Sequence, residues 1–127
     1  MILVLYVGFL AAVTLVPTHG LEEASATWVP FTDIVRLLTK PESGAYEDLS
    51  QLLGNVVLFV PLGWLLPAIW LRLRSLSSVI AIGAVISLAI EVSQLFIDGR
   101  WTSIDDVLLN SLGAAIGAAM FLAPRRM

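Results

Sequence analysis

Glu91 stands in the run Leu76 to Ile97, which holds no basic residue and no other acid. A carboxylate at membrane depth is costly unless protein or water satisfies it, so it marks a functional-site hypothesis with a partner to be named. Three kinds of chemistry suit it: general base, hydrogen-bond acceptor for a bound polar group, or proton carrier. Its stretch also carries Gly83, Ser87 and Gln94, which share a helical face with Glu91 at steps of four, four and three. A later stretch repeats the pattern with Asp106, Asn110, Gly113 and Gly117, and an earlier one places Gln51 and Asn55 on one face.

At 1.5 Å rise per residue, Glu91 and Asn110 each lie roughly 9 Å from the turn that joins their stretches. Asn55 comes out slightly shallower. Polar groups from three helices are thus expected in one layer. In the turn Asp98-Gly99-Arg100-Trp101-Thr102-Ser103, Arg100 is the only base, with Asp98, Asp105 and Asp106 around it. Its guanidinium fork suits a carboxylate or a headgroup phosphate. Ser103 fits a helix N-cap, and Asp105 and Asp106 fall in a first turn where the helix dipole favours acids. The same two acids are candidate oxygen ligands for a divalent cation, although adjacent helix-start acids rarely project to one point. Asn55, Gln94 and Asn110 have a plainer reading as interhelical glue, worth on the order of 0.6 kcal/mol each in a bilayer.

The elements that hold these groups follow from hydrophobicity. The 127 residues are 58% hydrophobic and 13% charged, with a mean hydropathy of +0.92. Too few polar residues are present to cover a soluble domain. A bilayer core about 30 Å thick takes roughly 20 apolar residues per helix. Four segments fit: Met1 to about Val16, Gln51 to Leu71 with Pro61 and Pro67 inside, Leu76 to Ile97, and Ile104 to Ala123. Pro61 frees a carbonyl near Val57, as shape or as site. The first segment lacks the basic flank of a signal peptide and is read as a retained helix. Between the first two, Phe31, Ile34, Val35 and Leu38 recur at helical spacing behind Pro30, which predicts an amphipathic interfacial helix over Phe31 to Lys40. The fold class is therefore all-α: one domain, residues 1–127, forming an integral membrane bundle of four transmembrane helices with a short interfacial helix in the first outer loop. The Gly113–Gly117 step and the Gly83–Ser87 step predict close packing of the third and fourth spans.

Arg72, Arg74, Arg125 and Arg126 lie on one side of these spans, without acids. The other side holds Arg36, Lys40 and Arg100 against nine acids. Basic residues favour the cytoplasm, so both termini are expected inside and the acidic connections outside, in a bacterial inner membrane. Trp28, Tyr46 and Trp101 then mark the outer interface. The chain has no Cys, which excludes disulfides and thiolate metal sites, and the lone His19 reads as a solvated loop residue. Nothing points to a cofactor or to nucleic acid, since the few bases are split between faces.

The segment Gly54-Asn55-Val56-Val57-Leu58-Phe59-Val60-Pro61-Leu62-Gly63, Glu91 with Gln94, Gly99-Arg100, Asp105-Asp106-Val107, and Asn110 with Gly113 and Gly117 together resemble the VanZ-like membrane protein family. The resemblance covers about three helices. It implies a small multi-spanning protein of the bacterial envelope, and the family's namesake lowers susceptibility to the glycopeptide teicoplanin. The motif positions are Asn55, Pro61, Glu91, Gln94, Arg100, Asp106 and Asn110. The sequence departs from the family's pattern at Ser103, where an acid is frequent, and at Trp28, where a polar residue is.

Two functions of different class follow. One is a binder of a membrane lipid, a lipid-linked envelope component or a lipophilic glycopeptide-type antibiotic at the outer leaflet, through Asn55, Glu91, Gln94, Arg100, Asp106 and Asn110. The other is a membrane-embedded enzyme acting on a lipid-linked phosphate or sugar, with Glu91 as general base; no nucleophile–base pair accompanies it. Proton transport through Glu91 lacks a relay, because the inner halves of the spans carry no ionisable residue. The sequence leaves the ligand and the oligomeric state open.

Overall fold

The computed structural model describes residues 1–17, 25–39 and 45–124. The expected roles of His19, the Tyr46 side chain, Lys40, Arg125 and Arg126 fall outside the described residues or side chains. Five helices are seen among them: α1 (Ile2–Thr14), α2 (Thr32–Thr39), α3 (Ala45–Ile69), α4 (Leu76–Gln94) and α5 (Ile104–Leu122). Leu49–Ile69 of α3, together with α4 and α5, is long and apolar enough to cross a membrane. Helix α1 has 13 residues. That is about 20 Å of rise, short of a bilayer core of about 30 Å. Among the described residues three helices are thus of spanning length, where the hydropathy pattern predicts four.

Helix α3 runs unbroken through Pro61 and Pro67. Each ring removes one N–H from the ladder, and neighbouring helices must then hold the shape. Tyr6 Oη of α1 donates to the Leu58 carbonyl at 2.6 Å, one residue beyond the carbonyl that Pro61 releases. After α3, a 3₁₀ turn (Leu71–Leu73) leads to Ser75, whose Oγ caps α4 by accepting the Ser78 N–H at 3.2 Å. Arg74 donates to the Pro67 carbonyl there and lies over the Phe121 ring at 5.7 Å.

The close helix pair differs from the expected one. Gly113 and Gly117 of α5 face α3 rather than α4: a Cβ on Gly113 would lie 2.1 Å from the Val56 carbonyl oxygen, and one on Gly117 would lie 2.0 Å from that of Val60. Gly63 answers from α3, with the Ala114 carbonyl 2.0 Å from where its Cβ would be. Only helices that lack side chains along both faces come this near, which is how dispersion binds helices in lipid. Gly83 of α4 meets the other side of Ala114. Around this seam Phe59, Leu62, Leu66, Val79, Ile90, Ala114 and Ala118 form the core, with Leu10 added from α1. Val57, Val85, Leu112, Ile116 and Met120 point outward, as lipid-facing residues do.

The helical reading misses one element. Ser25–Thr27 (β1) pairs in parallel with Trp101–Ser103 (β2), in the register Ser25 with Trp101, Ala26 with Thr102 and Thr27 with Ser103. Three-residue strands show no alternation long enough to read, and their pairing joins distant parts of the chain. This pairing lays the first loop on the α4–α5 turn. Helix α2 follows as expected, starting at Thr32 because Phe31 takes a left-handed backbone, φ 66°. Such a conformation costs a non-glycine residue about 1–3 kcal/mol and persists only where its surroundings impose it.

Candidate functional site

The cap formed by β1, β2 and α2 sits over a buried polar layer. Glu91, in the last turn of α4, is 2% exposed; Gln94 is 1%, Asp106 4% and Asn110 2%. The stripes that place them run at helical spacing on α4 and α5, and both faces turn inward. Glu91 therefore does not face lipid.

Glu91 Oε2 accepts the Ser103 N–H at 3.1 Å, and the Glu91 backbone carbonyl accepts the Thr102 hydroxyl at 3.2 Å. The end of α4 is thereby fastened to β2. Asp106, in the first turn of α5, accepts Asn55 Nδ2 of α3 at 2.5 Å and the Gln51 side chain. Glu91 and Asp106 lie within each other's electrostatic reach, and Arg100 within reach of both. Arg100 is half-buried, and its Nη1 donates to the Val16 carbonyl at 3.3 Å. Burial pulls the Arg100 guanidinium below its ordinary value, while Glu91 and then Asp106 pull it back up. An arginine so placed stays charged at neutral pH.

Gln94 and Asn110 each give one amide N–H to the scaffold. Gln94 Nε2 donates to the Thr14 carbonyl at 2.8 Å, which ties the end of α1 to the bundle. Asn110 Nδ2 donates to Ser87 Oγ at 2.7 Å, one turn below Glu91 on α4. The two amide oxygens, Gln94 Oε1 and Asn110 Oδ1, are buried without a hydrogen-bond donor.

Asp105 has a different role from its neighbour. It is fully buried, and its carboxylate accepts the N–H groups of Phe31, of Asp33 at 2.9 Å and of Ile34 at 3.4 Å. An acid of α5 thus caps the N-terminus of α2, where unpaired N–H groups and the helix dipole both attract a carboxylate. The Phe31 N–H it accepts belongs to the residue in the left-handed conformation. Asp105 and Asp106 were candidate partners for one cation; they point to different helices. No group of three or more His, Cys, Asp or Glu placed to hold a metal occurs among the described residues.

Ser103 joins both halves. Its Oγ accepts the Asp105 N–H at 3.2 Å, the expected N-cap, and its hydroxyl donates to the Asp33 carboxylate. Asp33 also lies 3.8 Å from Arg36. The structure therefore brings Asn55, Glu91, Arg100 and Asp106 into one electrostatic cluster, with Gln94 and Asn110 flanking it, and withdraws Asp105 to the cap. Asp33, Thr14 and Thr102 were not foreseen. An acid in the first turn of an amphipathic helix was the one available signal for Asp33, and Thr14 acts through its backbone, which no side-chain pattern reveals.

Comparison with known families matches residues 3–125 to the family described as VanZ/LLP1. No curated protein and no solved structure matches the chain.

Proposed function

Because the chain belongs to the VanZ/LLP1 family, a family of small membrane proteins by its resemblance and by the three helices of spanning length, we propose that it binds an amphiphile at the outer leaflet of the bacterial inner membrane. The occupant is a membrane lipid, a lipid-linked envelope component or a lipophilic glycopeptide-type antibiotic, and its capture lowers antibiotic susceptibility. Both termini lie in the cytoplasm, and α1, though short, completes a fourth crossing beside the bundle. The charge asymmetry supports this orientation: Arg72 and Arg74 lie at the end opposite to the acid-rich cap.

One observation carries the reading. Glu91 and Asp106 are buried beside the half-buried Arg100, at the end of a bundle whose core and glycine seam are apolar. Ionisable groups in such a setting are expensive and mark function more often than structure. The cap closes the cluster off from water, and its outward residues Trp28, Val29, Phe31, Val35 and Leu38 are exposed and apolar, suited to the interfacial zone from which an amphiphile arrives.

Expression in a susceptible Gram-positive host tests the function. Teicoplanin susceptibility is expected to fall with the native chain and to return with Glu91→Gln at equal membrane abundance. Equal susceptibility in all three strains overturns the antibiotic part. Orientation is tested separately, because the chain lacks cysteine. A cysteine at Leu38 should react with a membrane-impermeant maleimide on intact cells, and one at Arg72 only after permeabilisation. The reverse pattern refutes the outer-leaflet placement.

A further inference from the structure

We infer that the end of the bundle opposite to the cap holds a second site, for the phosphodiester of an anionic phospholipid, built on Arg74 with Arg72 beside it. The inference is independent of what the Glu91 layer binds.

The positive charge at this end has no counterpart in the protein. No Asp or Glu occurs in residues 59–90 or 107–127, so the helix ends and the turn gathered here carry Arg72 and Arg74 without an acid. Glu91, the acid of α4, stands roughly 22 Å along that helix from Leu76, too far to pair with either. Both arginines are exposed, and among the described residues neither makes an ion pair.

Arg74 is held in place before any ligand arrives. Its Nε donates to the Pro67 carbonyl at 3.3 Å, and its guanidinium carbon lies 5.7 Å from the centre of the Phe121 ring. Phe121 is itself set edge-on against Trp64, with centroids 5.5 Å apart. The end of α3, the end of α5 and the turn between α3 and α4 thus fix one guanidinium plane. A guanidinium carries five N–H donors, and the Pro67 bond takes the one on Nε. Those on Nη1 and Nη2 meet no acceptor among the described residues. The two Nη groups form a fork that receives two oxygens of one phosphate. A plain helix cap accounts for the Nε bond and leaves the fork idle.

The surroundings favour a lipid over a free phosphate. Ile69, Trp70, Leu71, Leu76 and Met120 are exposed and apolar at this end, and offer acyl chains a surface beside the arginines. Trp64 and Trp70 suit the head-group level, where bases at helix ends attract anionic lipids.

The test titrates the full-length protein in dodecyl maltoside with phosphatidylglycerol or phosphatidylcholine and reads the adducts by native mass spectrometry. Phosphatidylglycerol is expected to bind at least tenfold more tightly, and millimolar inorganic phosphate should not displace it. Displacement would assign the site to free phosphate and overturn the lipid. Arg74→Gln should weaken phosphatidylglycerol binding tenfold or more, and Arg72→Gln about fivefold, the share of one base near an anionic surface. Arg74→Lys keeps the charge without the fork and should bind as poorly as Arg74→Gln. Native binding by Arg74→Lys would reduce the site to diffuse charge and overturn it. Should Arg74→Gln fail to fold, Arg74→Lys and the lipid preference of the native chain decide. Glu91→Gln should leave this binding unchanged, which separates it from the site under the cap. Loss on Glu91→Gln, or loss confined to Arg125→Gln and Arg126→Gln, would place the lipid elsewhere and overturn the inference.

Discussion

Helix α5 builds two unlike contacts along its length. Its second half, with Gly113, Ala114, Gly117 and Ala118 buried, lies on α3 at backbone distance and contributes no polar side chain to the joint. Its first half, with Asp105, Asp106 and Asn110 buried, reaches α2, α3 and α4 through side-chain hydrogen bonds. In lipid the first kind of joint is the cheap one, because close dispersion contact needs no desolvation of polar groups. The polar half is therefore the costlier one to bury. The difference separates what holds the helices from what the helices hold.

Substitutions that act on one joint and spare the other can break this division. Gly117→Leu drives a side chain into the Val60 carbonyl and the Trp64 N–H. Since the obstacle is backbone, the cost should reach at least about 3 kcal/mol, the upper end of overpacking losses. Folded yield in detergent should collapse; a native-like melting midpoint would show that α3 and α5 are not held there. Asp105→Ala comes next. It strips the α2 N-terminus of its acceptor and should cost about 1.5–3 kcal/mol, the range for hydrogen bonds to a charged group. The loss should stay local: amide exchange is expected to rise across residues 31–39 while α3, α4 and α5 keep their protection. Exchange rising everywhere would mean that the cap and bundle fold as one unit. Tyr6→Phe should do least. Removing the bond to the Leu58 carbonyl costs on the order of 0.6 kcal/mol in a bilayer, seen as a small drop in midpoint; a large drop would make α1 a main support of the bundle.

The two joints also differ in how far the sequence discloses them. The small residues at Gly113 and Gly117 announce a close helix contact, but not which helix receives it. The Gly83–Ser87 step on α4 offered an equal partner, and only the matching gap at Gly63 in α3 decides. The inward stripe of Glu91, Gln94, Asp106 and Asn110 was legible from period alone, because a polar face on an apolar helix has nowhere else to turn. Its pairings were not. Glu91 meets the Ser103 backbone rather than a neighbouring amide side chain, and Asp105 reaches α2 across the β1–β2 pairing, since both depend on contacts between residues far apart in the chain. Helix α1 ends at Thr14, where the apolar run continues to Val16, because hydropathy counts residues and takes no account of where the backbone leaves its helix.

The central claim is that Glu91, beyond its bond to the Ser103 N–H, serves an occupant through its acid group. Native mass spectrometry of the protein released from membranes, paired with a thermal melt, tests it on one pair of samples. Glu91→Gln keeps size and hydrogen-bonding capacity but removes the charge. The account predicts an unchanged midpoint with loss of the lipid adduct carried by the native chain. A lowered midpoint with the adduct retained would contradict it and make Glu91 a structural residue.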